Sequence, residues 1–146
     1  MLSKLCRAQI EDGFTLIELL VVILIVGILA GGAIPSFLSQ AAKADGAQAK
    51  TMVSSAQSAM ETYDIDHRGY AGASIAVLRG IEPTLGDKSA AVLVAASADP
   101  SGQGYTVTVS SSDKVTFSIT RSDSGSLTRS CIGGSVDTSG CENGKW

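Results

Sequence analysis

The stretch Phe14-Thr15-Leu16-Ile17-Glu18-Leu19-Leu20-Val21-Val22-Ile23-Leu24-Ile25-Val26-Gly27-Ile28-Leu29-Ala30-Gly31-Gly32-Ala33-Ile34 decides how the rest of the chain is read. Its 21 residues are apolar almost throughout, and as a helix they would span about 30 Å, the hydrocarbon thickness of a bilayer. Lys4 and Arg7 precede the run, and the next cations, Lys43 and Lys50, lie well beyond it, so the positive-inside rule keeps the N-terminus cytoplasmic. The anomaly is Glu18. A carboxylate within a span costs up to about 3 kcal/mol at the centre and less near an end.

Three readings of the run compete. A secretory signal would place its cleavage at the small residues Leu29-Ala30-Gly31-Gly32-Ala33, and a plain single-pass anchor would not be cleaved. Both leave Glu18 without a purpose. In the third, cleavage after Gly13 creates an amine on Phe14, four residues before Glu18 and on the same helix face. Amine and carboxylate then neutralise one another, within one chain or between neighbours.

Outward from the run, composition sets the limits. The chain has 146 residues, so an anchor leaves about a hundred for one small domain. Eleven Lys and Arg against 14 Asp and Glu give a net charge of −3, which does not advertise a nucleic-acid binder. Cys6 precedes the apolar run, whereas Cys131 and Cys141 follow it by about a hundred residues. If the run crosses a membrane, the latter two face an oxidising exterior where a disulfide is expected; the alternative is two free thiols.

Gly27, Gly31, Gly32 and Pro35 interrupt the end of the run. Glycine weakens a helix and proline cannot donate to the carbonyl four residues back, so this segment is the place to stretch. Gly27-x-x-x-Gly31 also reads as a close-packing face for another membrane helix. Beyond Pro35, apolar residues from Phe37, Leu38, Ala41 and Ala42 through Ala49, Met52, Val53, Ala56, Ala59, Met60 and Tyr63 recur at helical spacing. The helix is expected to run to about Asp66 and stop at Arg68-Gly69, roughly 80 Å from Phe14 at 1.5 Å per residue.

A connection over 68–104 is expected to be irregular, with one short helix around Ile75 to Arg79. Then Tyr105, Val107 and Val109 alternate with hydroxyl residues, as do Val115, Phe117 and Ile119. Two half-buried strands joined across Ser111-Ser112-Asp113 follow, and a third strand near Leu127 to Cys131 after the turn signal Asp123-Ser124-Gly125. The apolar face of this antiparallel meander needs a cover, which the Ala and Met stripe of the helix can supply.

The segment Gly13 to Val22 resembles the prepilin signature of type IV pilins and their type II secretion pseudopilin relatives: a glycine, a cut, then FTLIELLVVI. Glu11 and Asp12 stand where leaders of that family commonly carry Lys or Arg. The resemblance implies that a prepilin peptidase cleaves between Gly13 and Phe14 and methylates the Phe14 amine. It also implies that Glu18 pairs with that amine on an adjoining subunit and that helix is lost between a glycine and Pro35 in the filament. An α+β ladle is implied, in which a long N-terminal helix packs on a C-terminal meander closed by a disulfide-bounded loop, Cys131 to Cys141.

Five segments follow: a leader, 1–13; the membrane and polymerisation half of the helix, 14–35; its amphipathic half, 36–67; an αβ loop, 68–104; and the sheet with its terminal loop, 105–146. The partners implied are other copies of the chain, the peptidase, the assembly platform and its motor, and the membrane. The resemblance places the chain in the cytoplasmic membrane before assembly and in an extracellular pilus afterwards, serving adhesion, motility or DNA uptake. The alternatives are a pseudopilin, which the cysteine pair disfavours, and a minor or tip pilin that binds surfaces or DNA.

Other chemistry finds little support. Asp64-Ile65-Asp66-His67-Arg68-Gly69 opens like a calcium loop, but Arg68 and Ile75 occupy positions that need oxygen ligands. His67 is the single histidine, which excludes a multi-histidine zinc site. No nucleophile elbow, phosphate loop or Cys–His pair is present, so no catalytic residue, metal or cofactor is assigned. Lys114, Arg121, Arg129 and Lys145 suggest a weak basic surface on the sheet and Trp146 an exposed terminal contact, but no specific nucleic-acid site is evident.

Overall fold

The computed structural model describes residues 13–133 and 140–146. Helix α1 runs from Leu16 to His67, and its backbone stays helical through Gly27, Gly31, Gly32 and Pro35. Thr15 starts it by accepting the Glu18 backbone N–H on its Oγ1 at 3.3 Å, as an N-cap threonine does. The chain divides into two units, Met1–Phe37 and Leu38–Trp146.

The described part of the first unit is the N-terminal half of α1, whose large apolar side chains from Leu16 to Ile34 are exposed. α1 contains the one described helix long and apolar enough to cross a membrane. Residues 1–12 of the expected leader lie outside the described residues.

In the second unit the C-terminal half of α1 covers a sheet. Ala49, Val53, Ala56, Met60 and Tyr63 are buried at spacings of three and four, one continuous stripe on the helix. Phe37 and Leu38 do not belong to it: they are 74% and 62% exposed, so the cover starts about three turns later than periodicity suggested. The helix ends where expected, with Arg68 in the left-handed region (φ 56°) and its N–H on Asp64 O at 2.7 Å.

Helix α2, Ile75–Ile81, follows, capped by the Ser74 hydroxyl and buried through Leu78. A 3-10 turn at Pro83–Gly86 buries Leu85 and delivers the chain to the sheet. Strands β1 (Ala91–Ala98), β2 (Tyr105–Ser111), β3 (Thr116–Arg121) and β4 (Leu127–Ile132) form an antiparallel meander in the order β1-β2-β3-β4.

The inner face carries Leu93, Val107, Val109, Phe117 and Ile119 against the helix. The outer face is a carpet of hydroxyls, with Thr106 bonded to Thr120 at 3.1 Å and Thr108 to Ser118 at 2.9 Å.

One strand departs from the expectation for 68–104. β1 lies inside that segment, so the sheet has four strands rather than three. A bulge between Leu93 and Ala95 is the reason: Ala91 and Leu93 face the core before it, Ala96 and Ala98 after it, and no single period-two pattern survives.

Candidate functional site

Two places bring together the residues singled out above. The first is the N-terminal end of α1. Gly13 and Phe14 precede the helix in open conformation, with Phe14 82% exposed. Glu18 sits in the first turn of α1 with its side chain exposed. The one ion pair among the described residues lies elsewhere, between Arg121 and Glu61.

The second is the β4 edge of the sheet. Cys131 and Cys141 are joined by a disulfide, which ties the C-terminal segment beside β4; residues 134–139 of the expected loop lie outside the described residues. Cys131 donates its N–H to Gly144 O at 2.9 Å, and Glu142 and Lys145 exchange two backbone hydrogen bonds in a tight hairpin.

This hairpin seats Trp146 over the lip of the core. The indole N–H donates to Ser130 O at 3.0 Å, and the ring stands edge-on to Phe117 with centroids 5.8 Å apart. Trp146 is thus half-buried, not the free terminal contact its position suggested. Two cations lie over its ring: Arg129 Cζ at 5.2 Å from the centroid and Lys50 Nζ at 5.9 Å. Lys50 reaches from α1 and also donates to Gly140 O at 2.6 Å.

Of the four cations expected on the sheet, three remain at this edge. Arg129 and Lys145 are exposed, and exposed Lys114 lies in the β2–β3 turn, its carbonyl oxygen close to Gly133 just past β4. Arg121 leaves the group. Its Nη1 binds both oxygens of Glu61 at 2.9 and 3.1 Å, and the same carboxylate accepts the Tyr70 hydroxyl at 2.9 Å and the Tyr105 hydroxyl at 2.8 Å.

Burial, followed by the hydrogen bond to Glu61, pushes the Tyr70 phenol up to about 12 and the Tyr105 phenol further in the same direction. This is a structural tie between helix and sheet. Nothing local in the sequence marks Glu61 or Lys50 for these contacts, because their partners lie 60 and 90 residues away.

Elsewhere His67 stacks on Tyr63 with centroids 3.9 Å apart. Among the described residues no three His, Cys, Asp or Glu side chains gather as a metal site would require.

Residues 35–137 match a family model described as type IV minor pilin ComP, DNA uptake sequence receptor. Residues 11–34 match the prokaryotic N-terminal methylation motif.

Among individual proteins, the chain is 38% identical over 64 residues to the type II secretion system core protein G of Klebsiella michiganensis, 44% of this chain and 45% of that one. It is 40% identical over 63 residues to a fimbrial protein of Neisseria meningitidis serogroup B, covering 43% and 37%. It is 41% identical over 58 residues to the type IV major pilin protein PilE1 of Neisseria gonorrhoeae, covering 40% and 35%. The chain thus spans less than half the length of these curated relatives. No solved structure matches it.

Proposed function

Because the chain belongs to the family described as type IV minor pilin ComP, DNA uptake sequence receptor, we propose that it is a pilin precursor whose mature form joins a filament as a minor subunit and binds double-stranded DNA there. The observation that carries the reading is the extent of that match. It covers the amphipathic half of α1, the whole sheet and Cys131, the part of the chain that would stand outside a membrane. Similarity to core protein G covers 64 residues, which ranks the pseudopilin reading second.

The N-terminal half supplies anchorage and assembly. The methylation motif and the apolar helix fit a membrane-anchored pilin. Cleavage between Gly13 and Phe14 removes the leader, Phe14 is methylated, and Glu18 meets the Phe14 amine of a neighbouring copy when the helices pack. That packing is heterologous and does not close, so copies and relatives add end on end. Gly27, Gly31, Gly32 and Pro35 let the helix extend as the subunit leaves the bilayer. The peptidase, the assembly platform with its motor, and the membrane are the partners this requires.

The β4 edge supplies the DNA contact. A net charge of −3 gives the whole molecule no attraction for DNA, so binding must be local. Lys50, Lys114, Arg129 and Lys145 flank the disulfide on that edge, and three to four phosphate contacts would give a log-log salt slope of about −2.7 to −3.6.

The test uses the mature chain in detergent, offered a library of random-sequence DNA duplexes. Expected is enrichment of one short shared sequence, with binding that weakens steeply as salt rises. If the protein retained no duplex above a detergent control, the receptor reading would fall.

A further inference from the structure

Resting on the DNA-receptor reading above, we propose that Arg129 discriminates between DNA sequences by forking onto a guanine edge, while Lys50, Lys114 and Lys145 hold phosphates and carry no sequence preference. The four cations differ in what each has left to give. Lys50 has its ammonium on Gly140 O at 2.6 Å. Lys114 and Lys145 are exposed ammonium groups on flexible stems, point charges suited to phosphate.

Only an arginine offers the planar fork that matches the O6 and N7 acceptors of guanine, the commonest specific contact in the major groove. Of the two arginines in the sheet, Arg121 is drawn onto the helix, its Nη1 binding both oxygens of Glu61 at 2.9 and 3.1 Å. Arg129 has no hydrogen-bond acceptor among the described residues.

Arg129 is also held at both ends. Its backbone lies in the β3–β4 ladder opposite Ile119. Its guanidinium lies over an indole that is itself fixed, by the Trp146 N–H on Ser130 O at 3.0 Å and by Phe117 at 5.8 Å. An arginine seated on an aromatic ring keeps the in-plane N–H donors of its fork available and loses less freedom when they bind. Phosphate contacts fix register but read no sequence. A fork already positioned within a basic rim therefore meets base edges once the lysines have engaged the backbone.

The experiment compares the mature chain with R129K and K145A variants in detergent. Each is titrated with the library-selected duplex and with a scrambled duplex of equal length in which the shared guanines are replaced. Arg129→Lys keeps the charge and removes the fork. Expected is a loss of about ten- to a hundredfold in the selected-to-scrambled affinity ratio, with affinity for the scrambled duplex and the salt slope unchanged. Lys145→Ala is expected to weaken both duplexes alike, to preserve the ratio, and to flatten the salt slope by about 0.9.

An R129K variant that keeps the wild-type ratio overturns the proposal and leaves the receptor reading intact. So does one that loses both duplexes equally, since Arg129 would then be another phosphate contact. If the unaltered chain binds neither duplex, the receptor reading itself has failed.

Discussion

Tyr105, at the start of β2, donates its hydroxyl to Glu61 of α1 at 2.8 Å across a separation of 44 residues. With Tyr70 and Arg121 on the same carboxylate, this joint fastens the C-terminal turn of the helix cover to the sheet. The Glu61 and Arg121 side chains are 34% and 31% exposed, so water screens their attraction and the joint is weaker than a fully buried pair. Glu61→Ala strands two phenols and a guanidinium and should cost about 2 to 3 kcal/mol, whereas Tyr105→Phe should cost about 1.5 kcal/mol. Urea midpoints with an unchanged slope check both. An alanine variant as stable as the parent would show that the joint holds nothing.

The same joint sets a response to alkali. In an unfolded chain phenols ionise near pH 10. In the fold, burial and the Glu61 carboxylate hold the Tyr70 proton to about pH 12 and the Tyr105 proton beyond that. Between these limits the unfolded state binds fewer protons than the folded one, so stability falls as pH rises. The contribution is complete below pH 10 and drains by up to about 1.4 kcal/mol per pH unit for each phenol. Urea midpoints taken from roughly pH 9 to 11.5 should therefore decline, and the Tyr70→Phe, Tyr105→Phe double variant should flatten the decline. A flat parent profile would contradict this account.

How far the sequence foretold all this depends on the range of the signal. Period-two alternation announced β2 and β3, and helical spacing announced α1 with its stop at Arg68, because those patterns are local and repeat several times. β1 stayed hidden since its bulge swaps the inward residues from odd to even positions, and since Ala91, Ala95, Ala96 and Ala98 carry little strand character. Phe37 and Leu38 fit the helical period yet are exposed, because periodicity cannot tell which stripe finds a partner. At the β4 edge the cysteine pair and the basic residues were legible singly. Their convergence on Trp146, with Lys50 arriving from 90 residues away, was not.

Gly104 is required by crowding rather than by backbone angle. A methyl group there would lie 2.5 Å from Arg121 O, 2.8 Å from Asp99 Oδ2 and 3.2 Å from Asp123 Oδ1. Asp99 cannot swing aside freely. Its carboxyl, held down at about 2 chiefly by the hydrogen bond with Asp123, also accepts from Ser101 and from the Gly104 N–H. Gly104→Ala must shift the backbone of β3 and should cost about 2 to 3 kcal/mol. Gly86→Ala, which meets nothing within 4 Å, is the control and should unfold at the parental midpoint. Equal midpoints for the two variants would refute the crowding.

The disulfide should matter for binding as well as stability. Joining positions ten apart removes about 2.7 kcal/mol of chain freedom from the unfolded state at 25 °C. The Cys131→Ser, Cys141→Ser double variant should lose stability of that order. It should also release the hairpin that seats Trp146, and the emission of this one tryptophan should shift to the red. DNA affinity should fall with it, because Arg129 and Lys50 lose the ring they share. Unaltered emission and affinity would mean the tail docks without its covalent tie.

Glu18 is an exposed carboxylate in the first turn of a helix whose next four turns are apolar. Within lipid such a group sits near the boundary and costs little, but in a bundle of packed helices it would be buried at a cost of several kcal/mol unless a cation meets it. The proposed cleavage after Gly13 would place an amine four residues away, the spacing of one helical turn. Glu18→Leu should therefore leave cleavage and methylation intact and abolish incorporation into filaments. Mass measurement of the mature N-terminus, starting at methylated Phe14, reads the first, and the fraction of chain in sheared filaments against membrane reads the second. Glu18→Gln, which keeps the shape without the charge, should fail in the same way. If either variant entered filaments as well as the parent does, charge pairing at Phe14 would not be what seats the subunit.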